Sequence, residues 1–349
     1  MAQIDAVLNL AVQARASDVH IATGSSFVFR QFGKLKRIKS QEVSPKLSKT
    51  LIYEILTERQ RAQLEKDLQI DFSYEMEGKA RFRGNVIVQR KGLDATFRVI
   101  PLQIPTIDQL GLPVVAQKFC DFHQGLILVT GSTGQGKSTT LAAMIDQINS
   151  RRPLHILCIE DPIEFVHPIK MGVVNQRQLG VHTQSFANAL RAALREDPDV
   201  IMVGELRDLE SIRLAVTAAE TGHLVLGTLS TSSGPKTVDR LIDSFPPDEQ
   251  NQIRTMLAEG LRAVVTQKLL PGPDGKHQIL ACEIMIGTIP LANLIRTEKT
   301  FQLPSVMQTG RAQGMQSMDD AIKQLYKDDK ITYQTALDYA EDKKSFKRR

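Results

Sequence analysis

The sequence contains no tryptophan, only three cysteines and only 5% aromatic residues, and it has no long uninterrupted apolar run. Cys120, Cys158 and Cys282 are an odd number without paired spacing, which argues against both a disulfide framework and a four-cysteine zinc site. No stretch approaches the ~18 apolar residues of a membrane span, and the first residues, MAQIDAVLNL, lack the basic run of a cleavable leader. These absences favour a cytoplasmic protein in a reducing compartment.

The shortage of aromatic residues also bears on possible partners. Proteins that bind single-stranded nucleic acid stack bases on aromatic side chains, and such a platform is not visible in this sequence. The net charge of +5 arises from 44 basic and 39 acidic residues spread along the chain. We therefore expect a solvated surface with one basic ligand site, and no nucleic-acid partner.

The length of 349 residues favours two domains, because a single hydrophobic core rarely grows that large. The first 100 residues alternate helical and strand-like patterns, with helices near residues 4–15 and 48–64 and strand-like stretches near residues 71–76, 80–90 and 94–101. This pattern predicts an α+β domain over residues 1–100. Three prolines and Gly111 between residues 101 and 113 predict a linker over residues 101–116.

Residues 117–349 follow a different pattern, in which continuous apolar runs such as GLILVTG, LHILCIE, VIMVGE and HLVLGTL alternate with helical stretches. Strands that are apolar throughout are buried on both faces, which is typical of a parallel sheet covered by helices. The fold class predicted here is therefore α/β with a doubly wound parallel sheet. A long helix is expected over residues 248–270, and the carboxyl-terminal third is expected to be mostly helical.

The run GSTGQGKS at residues 131–138 matches the P-loop pattern, and it follows a predicted buried strand and precedes a predicted helix. Glycines let the backbone N–H groups face phosphate oxygens, the Lys137 ammonium reaches the β and γ phosphates, and the Ser138 hydroxyl holds magnesium. ATP and Mg²⁺ are the expected cofactors. The expected nucleotide-binding residues are Gly131, Ser132, Thr133, Gly134, Gln135, Gly136, Lys137, Ser138 and Thr139.

Acidic residues follow two of the predicted buried strands. Glu205 ends the run VIMVGE, at the sheet edge where open α/β sheets bind ligands, and is expected to act through magnesium, partly through water. Glu160, Asp161 and Glu164 follow the strand LHILCIE, and one of them is expected to position or deprotonate water. His223, at the start of another buried strand, is a candidate sensor of the γ phosphate.

With these motifs assembled, the sequence resembles the secretion-type ATPases along nearly its whole length. It carries SDVH at residues 17–20, the arginine-bearing strands ARFRGN and TFRVIP, IEDPIEFVH at residues 159–167, DPDVIMVGELRD at residues 197–208 and TGH at residues 221–223. The resemblance implies a RecA-like second domain and a smaller PAS-like first domain. It also implies that Glu164 is the catalytic glutamate, that Glu205 is the Walker B glutamate, and that Arg83 and Arg98 are arginine fingers.

Within that group the sequence is most similar to the PilT-type pilus retraction ATPases. Assembly and secretion ATPases usually carry an extra amino-terminal domain and a four-cysteine metal site, for which this chain has neither the length nor the cysteines. Residues 293–310 resemble a segment that marks retraction enzymes, which makes Asn293, Leu294, Ile295 and Arg296 candidates for coupling hydrolysis to the pilus. The resemblance implies a homohexamer that contacts a pilus platform protein and is peripheral at the inner membrane.

Two departures from the family pattern keep alternatives open. Residues 290–292 read PLA where the family prefers AIR, and Ser230 stands where the family usually has a second histidine. One alternative is a divergent paralogue that binds nucleotide as an accessory subunit of a mixed ring with a paralogous ATPase. Another alternative is a secretion or pilus-assembly ATPase.

Overall fold

The computed structural model describes residues 2–100 and 102–346, and contacts within the chain divide it into two compact units. The first unit is Met1–Gln103 and the second is Ile104–Arg349. Residues 104–116, which the sequence predicted to be part of a linker, belong to the second unit. Ile107, Leu112 and Ala116 are buried in the core of that unit, so this segment is packed chain rather than a free connection.

The first unit is built on a single sheet. In residues 2–100 its elements follow in the order α1 (Gln3–Gln13), β1 (Asp18–Ile21), β2 (Val28–Gln31), β3 (Lys34–Arg37), α2 (Pro45–Tyr53), α3 (Glu58–Asp67), β4 (Gln69–Met76), β5 (Ala80–Gln89) and β6 (Gly92–Ile100). The strands are antiparallel in the order β3-β2-β1-β6-β5-β4. The predicted α+β character of this region is confirmed.

Local sequence explains the helices of this unit. Ile4, Leu8 and Ala11 recur at helical spacing on α1, and all three are fully buried against the sheet. The helix expected over residues 48–64 is instead two helices. Helix α2 ends at Tyr53. Thr57 caps α3, because its hydroxyl accepts from the Gln60 N–H at 3.3 Å while the Gln60 side chain accepts from the Thr57 N–H at 2.9 Å.

The second unit is a seven-stranded sheet covered by helices. Its described elements are α4 (Val115–Phe119), β7 (Gly125–Thr130), α5 (Lys137–Arg151), β8 (His155–Glu160), β9 (Val173–Gln178), α6 (Phe186–Ala193), β10 (Val200–Val203), α7 (Leu209–Glu220), β11 (Leu224–Leu229), α8 (Gly234–Asp243), α9 (Gln250–Gly260), β12 (Leu261–Pro271), β13 (Gln278–Ile286), α10 (Ile289–Arg296), α11 (Leu303–Thr309), α12 (Met318–Lys327) and α13 (Tyr333–Tyr339). The strand order is β13-β12-β7-β11-β10-β8-β9, and every neighbouring pair is parallel except β12 and β13. None of the helices in residues 2–100 and 102–346 combines the length and apolar composition that a membrane span requires.

Burial on both sheet faces is visible within β7. Leu126 and Leu128 lie in the cluster formed with α6, α7 and α9, whereas Ile127 and Val129 lie in the cluster formed with α4 and α5. Alternate residues of one strand thus support two cores, one on each side of the sheet. The predicted doubly wound parallel sheet is confirmed, with β13 as an antiparallel addition at one edge.

The helix expected over residues 248–270 is wrong in its second half. Helix α9 ends at Gly260, and the chain continues as β12, which pairs in parallel with β7 and antiparallel with β13. Val264, Val265 and Thr266 are branched at Cβ and lie buried in this strand, a residue type that favours strands when partners are available. The carboxyl-terminal third therefore contains the strands β12 and β13 in addition to the helices expected there.

Candidate active site

The phosphate loop, defined here as residues 131–139, connects the carboxyl end of β7 to the first turn of α5. Gly131 has φ of 139° and Gly136 has φ of 81°, in the left-handed region that favours glycine. A Cβ on Gly131 would lie 2.6 Å from the Gln267 carbonyl oxygen, so a side chain there would push the loop away from β12. Glycine is thus required both by backbone conformation and by close packing.

Strand β12 supports the phosphate loop from one side. The Leu269 N–H donates to the Gln135 side-chain oxygen, and the Gln267 amide donates to the Thr140 hydroxyl at 2.7 Å. Gln135 was expected among the nucleotide-binding residues, although the P-loop motif does not require a particular side chain at this position. The structure shows that Gln135 holds the loop against β12.

Lys137 is placed to meet an anion. Its Nζ donates to the carbonyl oxygens of Gly131 at 2.7 Å and Ser132 at 3.0 Å. Burial lowers the pKa of Lys137, and the nearby negative charge of Glu205 partly opposes that effect. The N–H groups of Thr133 and Gly134 make no hydrogen bond within residues 2–100 and 102–346. A cation beside free backbone donors is a donor set that fits a phosphate group.

Glu205 follows β10 by two residues and lies at the same edge of the sheet. Its Oε2 is 2.6 Å from Arg207 Nη2, and its Oε1 accepts from the Ser230 hydroxyl at 3.3 Å. Burial alone would raise the pKa of Glu205, but the hydrogen bond and charge of Arg207, the Ser230 hydroxyl and the charge of Lys137 together bring that pKa below its ordinary value. Glu205 is therefore ionised at neutral pH.

Magnesium fits this site through few protein ligands. No group of three His, Cys, Asp or Glu side chains in the described residues is placed to enclose a metal ion. Magnesium is usually held by phosphate oxygens and waters together with one or two protein oxygens. Ser138, exposed on the first turn of α5, and the ionised Glu205 supply oxygens of that kind.

Glu164 lies in the acidic loop, defined here as residues 161–172, which connects β8 to β9. Ile163 and Phe165 on either side of Glu164 are buried, whereas Glu164 itself is half-buried. Its carboxylate forms no hydrogen bond or ion pair with the described residues. Glu160 differs, because it is buried and accepts from the Gln176 amide at 2.9 Å. Glu164 is thus the better placed of the two for contact with a bound water.

His223 lies at the amino end of β11, whereas the phosphate loop lies at the carboxyl end of the neighbouring strand β7. Strand β11 pairs in parallel with β7, with Leu224 opposite Gly125 and Leu229 opposite Thr130. His223 precedes β11, so the length of the strand, about 20 Å at ~3.3 Å per residue, separates it from the phosphate loop. Its Nδ1 lies 3.0 Å from the Ala218 carbonyl oxygen. His223 therefore does not reach the phosphate loop of its own chain, and its role as a sensor of the γ phosphate stays a prediction. Ser230, just after Leu229, occupies the edge where such a sensor belongs.

The predicted arginine fingers lie together in the first unit. Arg83 on β5 pairs directly with Arg98 on β6, and directly opposed residues project from the same face of a sheet. Arg98 Nε donates to Asp18 Oδ1 at 3.0 Å, and Arg30 Nε lies 3.7 Å from the same carboxylate. Arg83 has no hydrogen bond or ion pair among the residues that the structure describes. Their part in catalysis stays a prediction.

The predicted coupling residues lie on α10. Ile295 is fully buried, and Leu294 is partly buried and packs against the same core. Asn293 and Arg296 are exposed, with Arg296 Nη2 at 3.5 Å from Glu259 Oε1. Ile295 therefore belongs to the core rather than to an exposed docking patch, and the exposed side chains among these four are Asn293 and Arg296.

Several residues near the site were not singled out from the sequence. A cavity of about 210 Å³ opens beside the phosphate loop and is lined by Gly131, Ser132, Gln135, Ser232, Thr266, Gln267, Lys268 and Tyr339. Tyr339 belongs to α13, so this carboxyl-terminal helix forms part of the wall. Arg207 could have been found from the sequence, because an opposite charge two residues after Glu205 can fold back onto it.

Comparison with known proteins finds relatives that match nearly the full length of the chain. The chain is 47% identical over 343 residues to the type IV pilus retraction ATPase PilT of Pseudomonas aeruginosa, covering 98% of this chain and 99% of the relative. It is 46% identical over 334 residues to a twitching motility protein of Neisseria gonorrhoeae, covering 96% of this chain and 89% of the relative. A crystal structure of the pilus retraction motor PilT with bound ADP superposes with a TM-score of 0.91 at 43% identity, covering 99% of both chains.

A protein-family model also matches nearly the full length of the chain. The model of the family described as type II/IV secretion system protein matches residues 1–345, which include every residue of the candidate site. The chain belongs to the type II/IV secretion system protein family.

Proposed function

We propose that the chain is an ATPase motor subunit that drives retraction of a type IV pilus. The observation that carries the proposal is the convergence of Lys137, Ser138 and the ionised Glu205 at one sheet edge, next to the acidic loop that bears Glu164. Similarity to pilus retraction proteins over nearly the full length supports the choice of pilus retraction as the work performed.

The residues of the phosphate loop bind ATP. The free N–H groups of Thr133 and Gly134 and the N-terminus of α5 face phosphate oxygens, and Lys137 exchanges its two loop carbonyl partners for phosphate. Ser138 and Glu205 hold magnesium, with Glu205 acting partly through water. Bound ATP would supply the phosphoryl group that is transferred, and magnesium would neutralise part of its charge.

Glu164 positions or deprotonates the attacking water. A carboxylate without a protein partner is free to accept a hydrogen bond from water, whereas the Glu205 carboxylate is already paired with Arg207. The different surroundings of the two carboxylates give them different roles. Arg83 and Arg98 neutralise charge that develops in the transition state, donated across a domain or subunit boundary.

An arginine that is supplied by another domain or subunit would link ATP hydrolysis to movement of that domain or subunit. When catalysis needs a group from another domain or subunit, hydrolysis and the relative position of the two become linked. The chain acts as a homohexamer on the cytoplasmic side of the inner membrane, where it transmits this motion to a pilus platform protein through Asn293 and Arg296.

Two measurements test the proposal. Steady-state ATPase activity of the purified protein in the presence of magnesium tests the enzyme, with Lys137→Ala as the inactive control. Deletion of the gene followed by counting of surface pili tests the direction of work. Excess pili support retraction, whereas absent pili identify an assembly ATPase instead.

Ser230 favours one alternative, an accessory subunit that binds nucleotide and hydrolyses it poorly beside a paralogous ATPase. Its hydroxyl lies beside the phosphate loop and donates to Glu205, at the position where the family pattern that the sequence resembles has a second histidine. A hydroxyl cannot carry positive charge toward a phosphate. If Ser230→His raises a weak ATPase rate of the parent about tenfold or more, the accessory role is favoured; a high parent rate contradicts it.

A further inference from the structure

Glu164 lies in a loop, and its side chain is not held by other side chains. Because its carboxylate has no partner among the described residues, its position depends on the backbone of the acidic loop and on the buried neighbours Ile163 and Phe165. A residue that fixes this backbone therefore also sets where the carboxylate lies.

Gln176 on β9 makes three hydrogen bonds to the end of β8 and the acidic loop. Its Nε2 donates to the Phe165 carbonyl oxygen at 2.8 Å and to Glu160 Oε1 at 2.9 Å, and its Oε1 accepts from the His167 N–H at 3.0 Å. A glutamine amide has two N–H donors and one oxygen acceptor. Both donors and the oxygen of Gln176 are used to hold this segment.

Gln178 holds the same loop on the other side of Glu164. Its Oε1 accepts from the Ile163 N–H at 3.3 Å. The residue before Glu164 is thus bonded to Gln178, and the residue after Glu164 is bonded to Gln176. The backbone is fixed on both sides of the proposed catalytic glutamate.

The register of the sheet explains this arrangement. Strand β9 is the edge strand and pairs in parallel with β8, with Cys158 opposite Gln176 and Glu160 opposite Gln178. Residues two apart on a strand project from the same face, so both glutamines face the acidic loop. Asn175 projects from the other face, where its amide lies 2.9 Å from His155 Nε2.

We propose that Gln176 and Gln178 are positioning residues that hold Glu164 where it can act on water, an inference that rests on the proposed ATPase function. Catalysis by a positioned group depends steeply on geometry, and a misplacement of about 1 Å can cost ~100-fold in rate. Neither glutamine touches the phosphate loop in the contacts described above, so their effect is on hydrolysis rather than on nucleotide binding.

The test compares Gln176→Ala and Gln178→Ala with Asn175→Ala, which removes an amide from the same strand on the opposite face. We expect Gln176→Ala to lower kcat about 10-fold to 100-fold with KM changed less than about twofold. Gln178→Ala, which loses one hydrogen bond, is expected to show a smaller loss, and Asn175→Ala to keep the parent rate. Parent rates in both glutamine variants would overturn the proposal.

A double variant separates positioning from a general structural defect. If Gln176 acts through Glu164, the variant Gln176→Ala with Glu164→Gln is no slower than Glu164→Gln alone. A further loss by the full factor of Gln176→Ala would show that Gln176 acts independently of Glu164.

Hydrogen exchange gives a readout that does not need activity. Gln176 and Gln178 accept the N–H groups of His167 and Ile163, so Gln176→Ala should speed exchange in the peptide covering residues 161–172 while the peptide covering β7 is unchanged. Unchanged exchange in the acidic loop would overturn the proposed hold, and Gln178→Ala provides the same comparison if Gln176→Ala does not fold. If the parent does not hydrolyse ATP, or Glu164→Gln hydrolyses normally, the proposed function of Glu164 fails, even if exchange confirms the hold.

Discussion

The Glu205 carboxylate and the Arg207 guanidinium form an ion pair, with Oε2 and Nη2 2.6 Å apart, at the sheet edge that carries the phosphate loop. This pair is the chief contact that brings the pKa of Glu205 below its ordinary value against the opposing effect of burial. Arg207→Ala is therefore expected to raise the pKa of Glu205.

If hydrolysis needs ionised Glu205, the acid limb of the pH profile of kcat/KM moves to higher pH in Arg207→Ala. Measurement of ATPase rates between about pH 5 and about pH 8 checks this shift. Arg311→Ala, which removes an ion pair with Asp320 elsewhere in the unit, is the matched control. If the acid limb does not move, the rate of hydrolysis does not depend on the ionisation of Glu205.

Lys137 and Glu164 are expected to fail in different ways. Lys137→Ala removes the cation that meets the phosphates and should weaken ADP binding at least about tenfold. Glu164→Gln keeps the shape of the side chain but cannot accept a proton, so ADP affinity should stay within about twofold while kcat falls ~100-fold. Calorimetric titration with ADP and steady-state assays distinguish the two, and turnover at the parent rate in Glu164→Gln would disprove its role.

Arg83→Ala and Arg98→Ala are expected to lower turnover of assembled rings by up to about 1,000-fold, because the guanidinium acts chiefly on charge in the transition state. In Arg98→Ala, Asp18 keeps Arg30 nearby, which limits the disturbance to the first unit. Arg37→Ala, an exposed cation on β3, is the control. Normal hydrolysis by both variants in intact rings would assign these arginines to the solvated surface.

Coupling to the pilus is expected to depend on the exposed side of α10. The double variant Asn293→Ala with Arg296→Ala should keep ring assembly and at least about half of the parent ATPase rate, yet lose pilus removal. Ile295→Ala gives the contrasting result, because truncation of a fully buried isoleucine costs about 2–5 kcal/mol of unfolding free energy. If the double variant loses hydrolysis and retraction together, Asn293 and Arg296 stabilise the fold, as Ile295 does, and do not couple hydrolysis to the pilus.

His167 makes the stability of the second unit depend on pH. Burial lowers its pKa from 6.5 to about 4, with Asp146 opposing and Lys170 adding to that effect. Between these values the unfolded chain binds a proton that the folded chain does not, so stability is full above about pH 6.5 and is lost as the pH falls toward about 4.

Linkage between these two pKa values gives a loss of about 2 kcal/mol in unfolding free energy on going from about pH 7.5 to about pH 5. His167→Gln should remove that part of the pH dependence. Denaturant unfolding of parent and variant at both pH values measures the difference, and equal pH dependence in the two proteins would contradict the assignment to His167.

The sequence predicted the elements whose patterns are local. Continuous apolar runs indicated the buried parallel strands, glycine spacing before Lys137 indicated the phosphate loop, and the spacing of Ile4, Leu8 and Ala11 indicated α1. Strand β12 was missed because an apolar run after a helix fits either structure until its hydrogen-bonding neighbours are known.

The sequence alone therefore predicted a site for nucleotide hydrolysis, because Lys137, Ser138, Glu164 and Glu205 are residue types typical of that chemistry and follow strand ends that can be recognised from the sequence. Only the tertiary structure decided which of these side chains share an edge. Strand direction and register separated His223 from the phosphate loop and put Ser230 beside it, and they turned Gln176 and Gln178 toward the loop that carries Glu164. Those relations depend on pairing between residues distant in the chain, and no local pattern encodes such pairing.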